Sequence, residues 1–418
     1  MAMTKVADLG DSIHARYEKE YMLEAARRPG VWAQFIDWQP PINETAGNGS
    51  SFNYTTYGES DFTETALTED ADVTPDSITD GTMALTPYEY GKTWSVSKLA
   101  RYQSMQPIEQ VMAKIANLNR VQSIDRIIRR GAVGHGSSLP TMRYHIDGGT
   151  AMSSLEGHTA TDEVTYEFLA TLTAYAASTG LEPFDGLGYT AIIHPLLALD
   201  IQQLTEWKSM GYYQDQGKIT SSLMRPFTLA GITFIPSHEG RIYLGAGAAT
   251  TIYNGSTAMT ATDLNGALNK GATQIVVTSD TNCSVGQYLT IGTKETETTS
   301  PGSNLEQVLV TGIGSTPTID IKAMGVGNDF GLRFDHADAE AVACTSNVAA
   351  IPLLGKQSIL GIHGSDCGRY GKAITKEGLD LLDRFKYFGW YWYGGVATVQ
   401  KRVILGKCVL PHGHLGYN

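Results

Sequence analysis

Four carboxylates, Asp329, Asp335, Asp338 and Glu340, fall within one short stretch and could gather a calcium ion. Their spacing does not follow the calcium loop held between two helices, which needs ligands at alternate positions around a fixed glycine. Asp70 and Asp72 form a carboxylate pair of the kind that serves acid–base hydrolysis. They stand in a polar stretch with no apolar pocket to shift a pKa, so solvated charge is the better reading. His412 and His414 have metal-pair spacing but sit in a short tail, and His194 before Pro195 reads as a strand-end residue rather than a base. Gly325 to Gly331 is glycine-rich without a strand–helix frame. There is no G-x-S-x-G elbow, no H-E-x-x-H and no phosphate loop. The four cysteines, Cys283, Cys344, Cys367 and Cys408, form no C-x-x-C pair, which is weak for zinc and for a disulfide framework. Cys283 and Cys344 could meet inside one small domain, but in a reducing compartment free buried thiols are expected. The expectation is therefore no catalytic centre, no metal and no cofactor.

What remains is an architecture, organised around Thr86 to Gly131: an extended strand, a short joint and one long helix. Pro107 suits a helix start. Ile108, Val111, Met112, Ile115, Leu118, Val121, Ile124, Ile127 and Ile128 then recur at steps of three and four, one apolar face. Asn117, Arg120, Asp125, Arg129 and Arg130 fall mostly elsewhere on the wheel. Arg126, Arg129 and Arg130 in the last turn suit the negative end, and Gly131 supplies a stop. At roughly 1.5 Å per residue, 107–130 spans about 36 Å.

Before this girder lies an arm of one charge sign. From Pro29 to Gly91 there is no Lys or Arg, against eleven Asp and Glu, including Glu69, Asp70 and Asp72. Such a stretch cannot bury much apolar surface against itself. It is either a solvated acidic loop or a projecting hairpin that docks on something else. Strands are expected over Phe52–Tyr57 and Thr82–Val96, with the tip between Thr63 and Gly81.

The chain has 418 residues, enough for two or three domains, and 42% hydrophobic content, enough for real cores. A formal net charge of −12 argues against a protein whose main task is gripping nucleic acid. No uncharged run reaches a membrane span, and the first residues lack a hydrophobic signal core, so synthesis and residence in cytoplasm are expected. A first helix is expected over 8–28. The aromatic patch of Trp32, Phe35 and Trp38 follows, with two readings: packing on its own domain, or anchoring in another subunit's groove. Later elements are a helix over Glu163–Ser178, a strand into Pro195, a helix over Leu196–Trp207 and a strand over Gly231–Pro236. This is an α+β pattern. From Thr262 to Ala350 the chain turns rich in Thr, Ser and Gly, with short strands at 272–278, 288–291, 307–311 and 317–321, as in a small barrel or sandwich. That stretch has ten acidic and four basic residues and reads as inserted. A helix or half-helix over Gly378–Phe388, an aromatic strand from Trp390 and a closing strand over Arg402–Leu410 complete the chain.

The order of these parts resembles a known family. The arm helix comes first, then the acidic arm with Leu67-Thr68-Glu69-Asp70-Ala71-Asp72 and the strand Pro87-Tyr88-Glu89-Tyr90-Gly91. The joint Val96-Ser97-Lys98-Leu99-Ala100-Arg101 and a long helix closing in Ser123-Ile124-Asp125-Arg126 follow, with Tyr189-Thr190-Ala191-Ile192-Ile193-His194-Pro195 later. The chain is similar to tailed-phage major capsid proteins of the Hong Kong 97-type fold, close to the branch of the coliphage N-four major head protein. The resemblance implies an N-terminal arm (1–50), an extended loop (51–95), a peripheral domain with the spine helix (96–159), and an axial domain in two parts (160–261 and 351–385). It also implies an inserted all-β domain (262–350) and C-terminal strands (386–418). It implies homo-hexamers and homo-pentamers in the virion, with scaffolding, portal and decoration proteins as partners and packaged DNA facing an inner surface without sequence-specific binding. The acidic loop of one copy would lie against Lys92, Lys98, Arg101, Arg120, Arg126, Arg129 and Arg130 of its neighbour, giving register more than affinity. A rival expectation is a carbohydrate-binding adhesion protein, with 262–350 as its binding module.

Overall fold

A computed structural model describes residues 30–42, 52–57, 77, 80–103, 108–133, 142–149, 151–155, 162–184, 188–213, 225–248, 257–294, 296, 302–315, 317–323, 331–377, 384–399 and 403–409. The expected helix over 8–28, the tip of the acidic arm and the His412–His414 tail lie outside the described residues. The chain divides into two units, Met1–Ile128 with Leu360–Ala397, and Arg129–Ile359 with Thr398–Asn418.

In the first unit the aromatic run Phe385–Thr398 becomes the central strand of a five-stranded sheet. Its neighbours are Ile359–His363, Lys372–Glu377 and Tyr88–Ser97, the last paired antiparallel from Tyr88↔Gly394 to Ser97↔Phe385. The helix expected to reach Phe388 is corrected here: residues 385–388 are strand. Phe388, Trp390 and Trp392 alternate along it and are all buried, a period of two that a helix would scatter. Asp37–Trp38 adds a short parallel edge beside Ile359–His363.

The long helix runs Ile108–Val133, past Gly131, which does not stop it. Its covered stripe follows the four-residue row Ala116, Ile124, Ile128 and Ala132, whereas Ile115 is 44% exposed. Asp125, expected on the polar side, is buried, and its Oδ1 accepts the N–H of Trp32 at 2.9 Å. Three polar ties lay this helix on the sheet. Arg120 Nη1 donates to the Gly371 carbonyl at 2.8 Å, Trp390 Nε1 donates to Asn119 Oδ1 at 2.9 Å, and Lys386 Nζ meets Glu109 at 2.8 Å.

The second unit is built on a twelve-stranded sheet. The thread through it is Ala341–Leu354, one strand of fourteen residues. Its first residues pair with Tyr288–Ile291, its middle with Ile242–Ala248, and its end with Val403–Val409 and Tyr189–Ile193. Beyond Tyr288–Ile291 the sheet continues through Glu306–Ile313, Thr318–Ala323 and Gln274–Val276. Two apolar clusters lie along the thread. One gathers Leu169, Leu172, Ile193, Leu197, Phe234 and Ile351, with the helices Tyr166–Ser178 and Pro195–Gln203. The other gathers Ile275, Leu289, Val308, Ile319 and Val342. The helix expected over 196–207 is broken at Leu204 into Pro195–Gln203 and Thr205–Tyr213. His194 caps the first of these, its Nδ1 accepting the N–H of Leu196 at 3.2 Å, with Pro195 as the first helical residue.

A buried polar junction joins the clusters. Thr290 and Thr345 hydroxyls lie 2.7 Å apart, and Gln307 and Asn347 exchange amide hydrogen bonds at 2.8 and 3.0 Å. Asn347 Oδ1 also accepts the N–H of Gly245 at 2.9 Å. Gly245 has φ +63°, and a Cβ there would come within 2.8 Å of Thr290, so only glycine fits.

Asp125→Ala is expected to cost about 1–3 kcal/mol, because the Trp32 N–H loses its acceptor. Asp125→Asn, which keeps an oxygen there, is expected to cost less. Urea unfolding followed by tryptophan fluorescence checks the order of the two.

Candidate functional site

The residues expected to face a neighbour divide by what they touch. Trp32 has no exposed surface at all; it sits in the turn Trp32–Phe35 and packs within its own chain. Phe35 and Trp38 are half-buried. Trp38 donates from Nε1 to the Ala33 carbonyl at 3.1 Å and meets His363 edge-on, ring centres 5.4 Å apart. Among the basic residues, Arg120 is committed internally: besides Gly371, it reaches Asn117 Oδ1 at 2.7 Å. Burial lowers its pKa. Arg129 is bound to Glu239, Nη1 to Oε2 at 2.9 Å, with the carboxylate almost fully covered. Lys98, Arg126 and Arg130 are exposed. Arg101 lies in the short helix Lys98–Gln103, and Glu69, Asp70 and Asp72 lie outside the described residues.

Around Lys98 the surface is mixed rather than purely basic. Leu99 is 65% and Tyr102 78% exposed, three residues apart on the same short helix. This apolar pair carried no sequence signal, since a six-residue helix is too short to show a period. The hairpin of Phe52–Tyr57 with Asp80–Leu85 pairs in register from Phe52↔Leu85 to Tyr57↔Asp80. Phe52, Tyr54, Met83 and Leu85 share one face by that register, and Tyr57 at the far end is exposed. A two-stranded ribbon is marginal in water by itself and gains stability from packing on another surface.

In the second unit the candidate calcium carboxylates are occupied by backbone and side-chain donors. Asp335 Oδ1 accepts the N–H of Lys270 and Asp338 Oδ1 that of Gly266, both at 2.7 Å. Asp329 lies outside the described residues. Glu340 joins a different group. His336 is fully buried, with Nε2 2.8 Å from Glu306 Oε1 and Nδ1 2.7 Å from Glu340 Oε2. Glu306 also accepts the N–H of Arg333, and Glu340 accepts from Asn304 and the Ala337 amide. A histidine held by carboxylates on both ring nitrogens donates from both only as imidazolium. Burial pulls its pKa down, but the hydrogen bonds and charges of Glu306 and Glu340 outweigh this and the net shift is upward. For Glu340, burial pushes up, but hydrogen bonds from His336, Ala337 and Asn304 and the imidazolium charge bring it below the usual carboxylate value. The arrangement clasps the 331–340 loop onto the strand Glu306–Ile313. It is a structural clasp. Among the described residues no helix is long and apolar enough to cross a membrane.

No family model and no curated protein matches this chain. Solved structures do. A chain of the cyanophage Pam1 capsid asymmetric unit is similar with a TM-score of 0.55 at 10% identity, covering 94% of this chain and 95% of that one. The capsid of cyanophage P-SCSP1u gives a TM-score of 0.49 at 11% identity, over 92% and 90% of the two chains. The fold is thus that of the Pam1 capsid chain, the Hong Kong 97 type of fold. The likeness to the Pam1 chain runs through nearly the whole of both chains.

The clasp has a pH window. The His336 contribution is complete below its ordinary value of 6.5 and is lost as pH rises through its raised folded value. The Glu340 contribution is complete above its ordinary 4.5 and is lost as pH falls through its lowered folded value. Thermal unfolding across pH should show both limbs. His336→Ala should lower the melting temperature near neutrality and flatten the alkaline limb; a variant with the wild-type alkaline slope would show that the imidazolium is not the clasp.

Proposed function

We propose that this chain is a major capsid protein, assembling with its own copies into hexamers and pentamers of an icosahedral phage head around double-stranded DNA. The observation that carries this reading is the near full-length likeness in fold to the Pam1 capsid chain. The chain's surfaces support it. A hairpin too thin to stand alone, a short helix exposing Leu99 and Tyr102, and exposed Lys98, Arg126 and Arg130 belong to a subunit completed by neighbours. Residues 1–50 would be the N-terminal arm, 51–95 the extended loop, and 96–159 the peripheral domain, joined by the C-terminal strands of 386–418. The axial domain would be 160–261 with 351–385, and 262–350 would stiffen or decorate the outer face. Scaffolding, portal and decoration proteins would be its partners in the virion, and its role is structural rather than enzymatic.

In this reading the acidic loop with Glu69, Asp70 and Asp72 lies against Lys98, Arg101, Arg126 and Arg130 of the next copy. Arg120 and Arg129 are left out of that surface because they are half-buried, Arg120 on the Gly371 carbonyl and Arg129 on Glu239, whereas Lys98, Arg126 and Arg130 are exposed. Phe35 and Trp38 retain partly open rings for a neighbour, whereas Trp32 has none.

Electron microscopy and sedimentation of the purified chain test the assignment: shells, tubes, or rings of five or six are expected. A chain that stays monomeric with a crowding agent or scaffold supplied, and binds a glycan through 262–350, would be an adhesion protein instead. The double variant Arg126→Glu with Arg130→Glu should keep its circular dichroism and melting temperature within a few degrees yet form no closed shells. Normal shells from it would remove these two residues from the interface.

A further inference from the structure

Two of the four cysteines, far apart in sequence, are brought to one place in the second unit. Cys344 stands in the strand Ala341–Leu354 opposite Leu289 and enters the apolar cluster of Ile275, Leu289 and Val308 with 9% of its surface exposed. Cys283, partly exposed, packs on that same cluster. A third segment locates both. Met259 is buried in the same cluster as Cys344, and the next amide, Thr260 N–H, donates to the Thr281 carbonyl, two residues from Cys283, at 3.0 Å. The turn bearing Cys283 is fixed in turn: its own N–H donates to the Asp280 carbonyl at 2.9 Å, and the Gln287 amide donates to the carbonyls of Asn282 and Thr257. Cys367 lies in the first unit, where it accepts the N–H of Tyr393, and Cys408 is fully buried in the strand Val403–Val409.

We propose that Cys283 and Cys344 are a latent disulfide, a modification site that a small-molecule disulfide such as oxidised glutathione closes. Cys283 is the more exposed and reacts first. Its thiolate attacks one glutathione sulfur, the glutathione S–S bond breaks, and one glutathione thiolate leaves and takes up the proton that Cys283 shed. The Cys344 thiolate then attacks the Cys283 sulfur, and the second glutathione leaves with the proton from Cys344. The protein thiols give up two electrons in all and the glutathione disulfide receives them. Burial, joined by Asp280 at Cys283 and by Cys283 itself at Cys344, pushes both thiols up to about 11. Few thiolates exist at neutral pH, so closure is slow there and quickens roughly tenfold per pH unit while pH is below that value. The bridge would close a loop of about sixty residues, long enough for a large restriction of the unfolded chain.

The proposal does not rest on the capsid reading, and the isolated full chain is enough to test it. The folded protein is incubated with oxidised glutathione at pH 7 and pH 9, free thiols are blocked, and peptides are mapped by mass spectrometry without reduction. A Cys283–Cys344 linked peptide is expected, forming faster at pH 9, with Cys367 and Cys408 still thiols. Cys344→Ser should instead trap glutathione on Cys283, and the wild type should melt higher after oxidation than before. Wild-type protein that holds glutathione on Cys283 without the internal link would overturn the proposal. So would thiols that stay free at pH 9 while a urea-unfolded control oxidises fully.

Discussion

One strand has to serve two cores. Ala341–Leu354 borders the cluster of Leu289 and Val308 at its start and that of Leu169 and Ile351 at its end. Between them the strand carries Thr345, Ser346 and Asn347, polar residues where a sheet interior asks for apolar ones. A buried polar group without a partner is costly, so such a crossing is stable only when every group is answered. Thr290, Gln307, the Gly245 amide and, for Ser346, the Ala248 carbonyl do so. A slip of one residue would turn Asn347 away from Gln307 and present it to the other face of the sheet. The junction therefore holds the register of both halves at once.

Much of the architecture was readable because it rests on periodicity. The strand Tyr288–Ile291 is where the sequence places it, and the long helix agrees within three residues at either end. Failures came where a tertiary contact reverses a residue's ordinary preference. Asp125 reads as surface but is buried because Trp32 presents an amide to it. Gln307, at the start of an expected strand, and Asn347 are polar by type and are core residues through each other. Lys407 lies fully buried in Val403–Val409, its ammonium 5.3 Å from the Tyr243 ring. Of the expected interface residues, Arg120 and Arg129 belong to the fold itself. Helix-wheel position does not separate a half-buried guanidinium that meets a carbonyl or Glu239 from an exposed one. The break at Leu204 was missed because Leu196–Trp207 is apolar enough to read as one helix.

The first unit pairs exposed edges with a tied scaffold. Its sheet is closed over by aromatic rings on one strand, and its helix is tied by Arg120, Asn119 and Glu109. The hairpin, the exposed pair Leu99 and Tyr102, and the exposed Arg126 are carried on that scaffold. Under the proposed assembly such a mount would hold those edges in place, since a contact between copies must close a ring at a fixed rotation.

The continuous strand also sets how force would travel. A pull on residues 262–340 enters the larger sheet along the axis of Ala341–Leu354, where it meets antiparallel partners from Thr345 to Leu354. Ladder hydrogen bonds run across a strand, so tension along it loads many of them together, in shear. A region hung on a flexible linker would instead swing and peel open one bond at a time. The second unit is thus a stiff bracket, and deformation imposed at its Thr- and Gly-rich end reaches the other core instead of being absorbed between them.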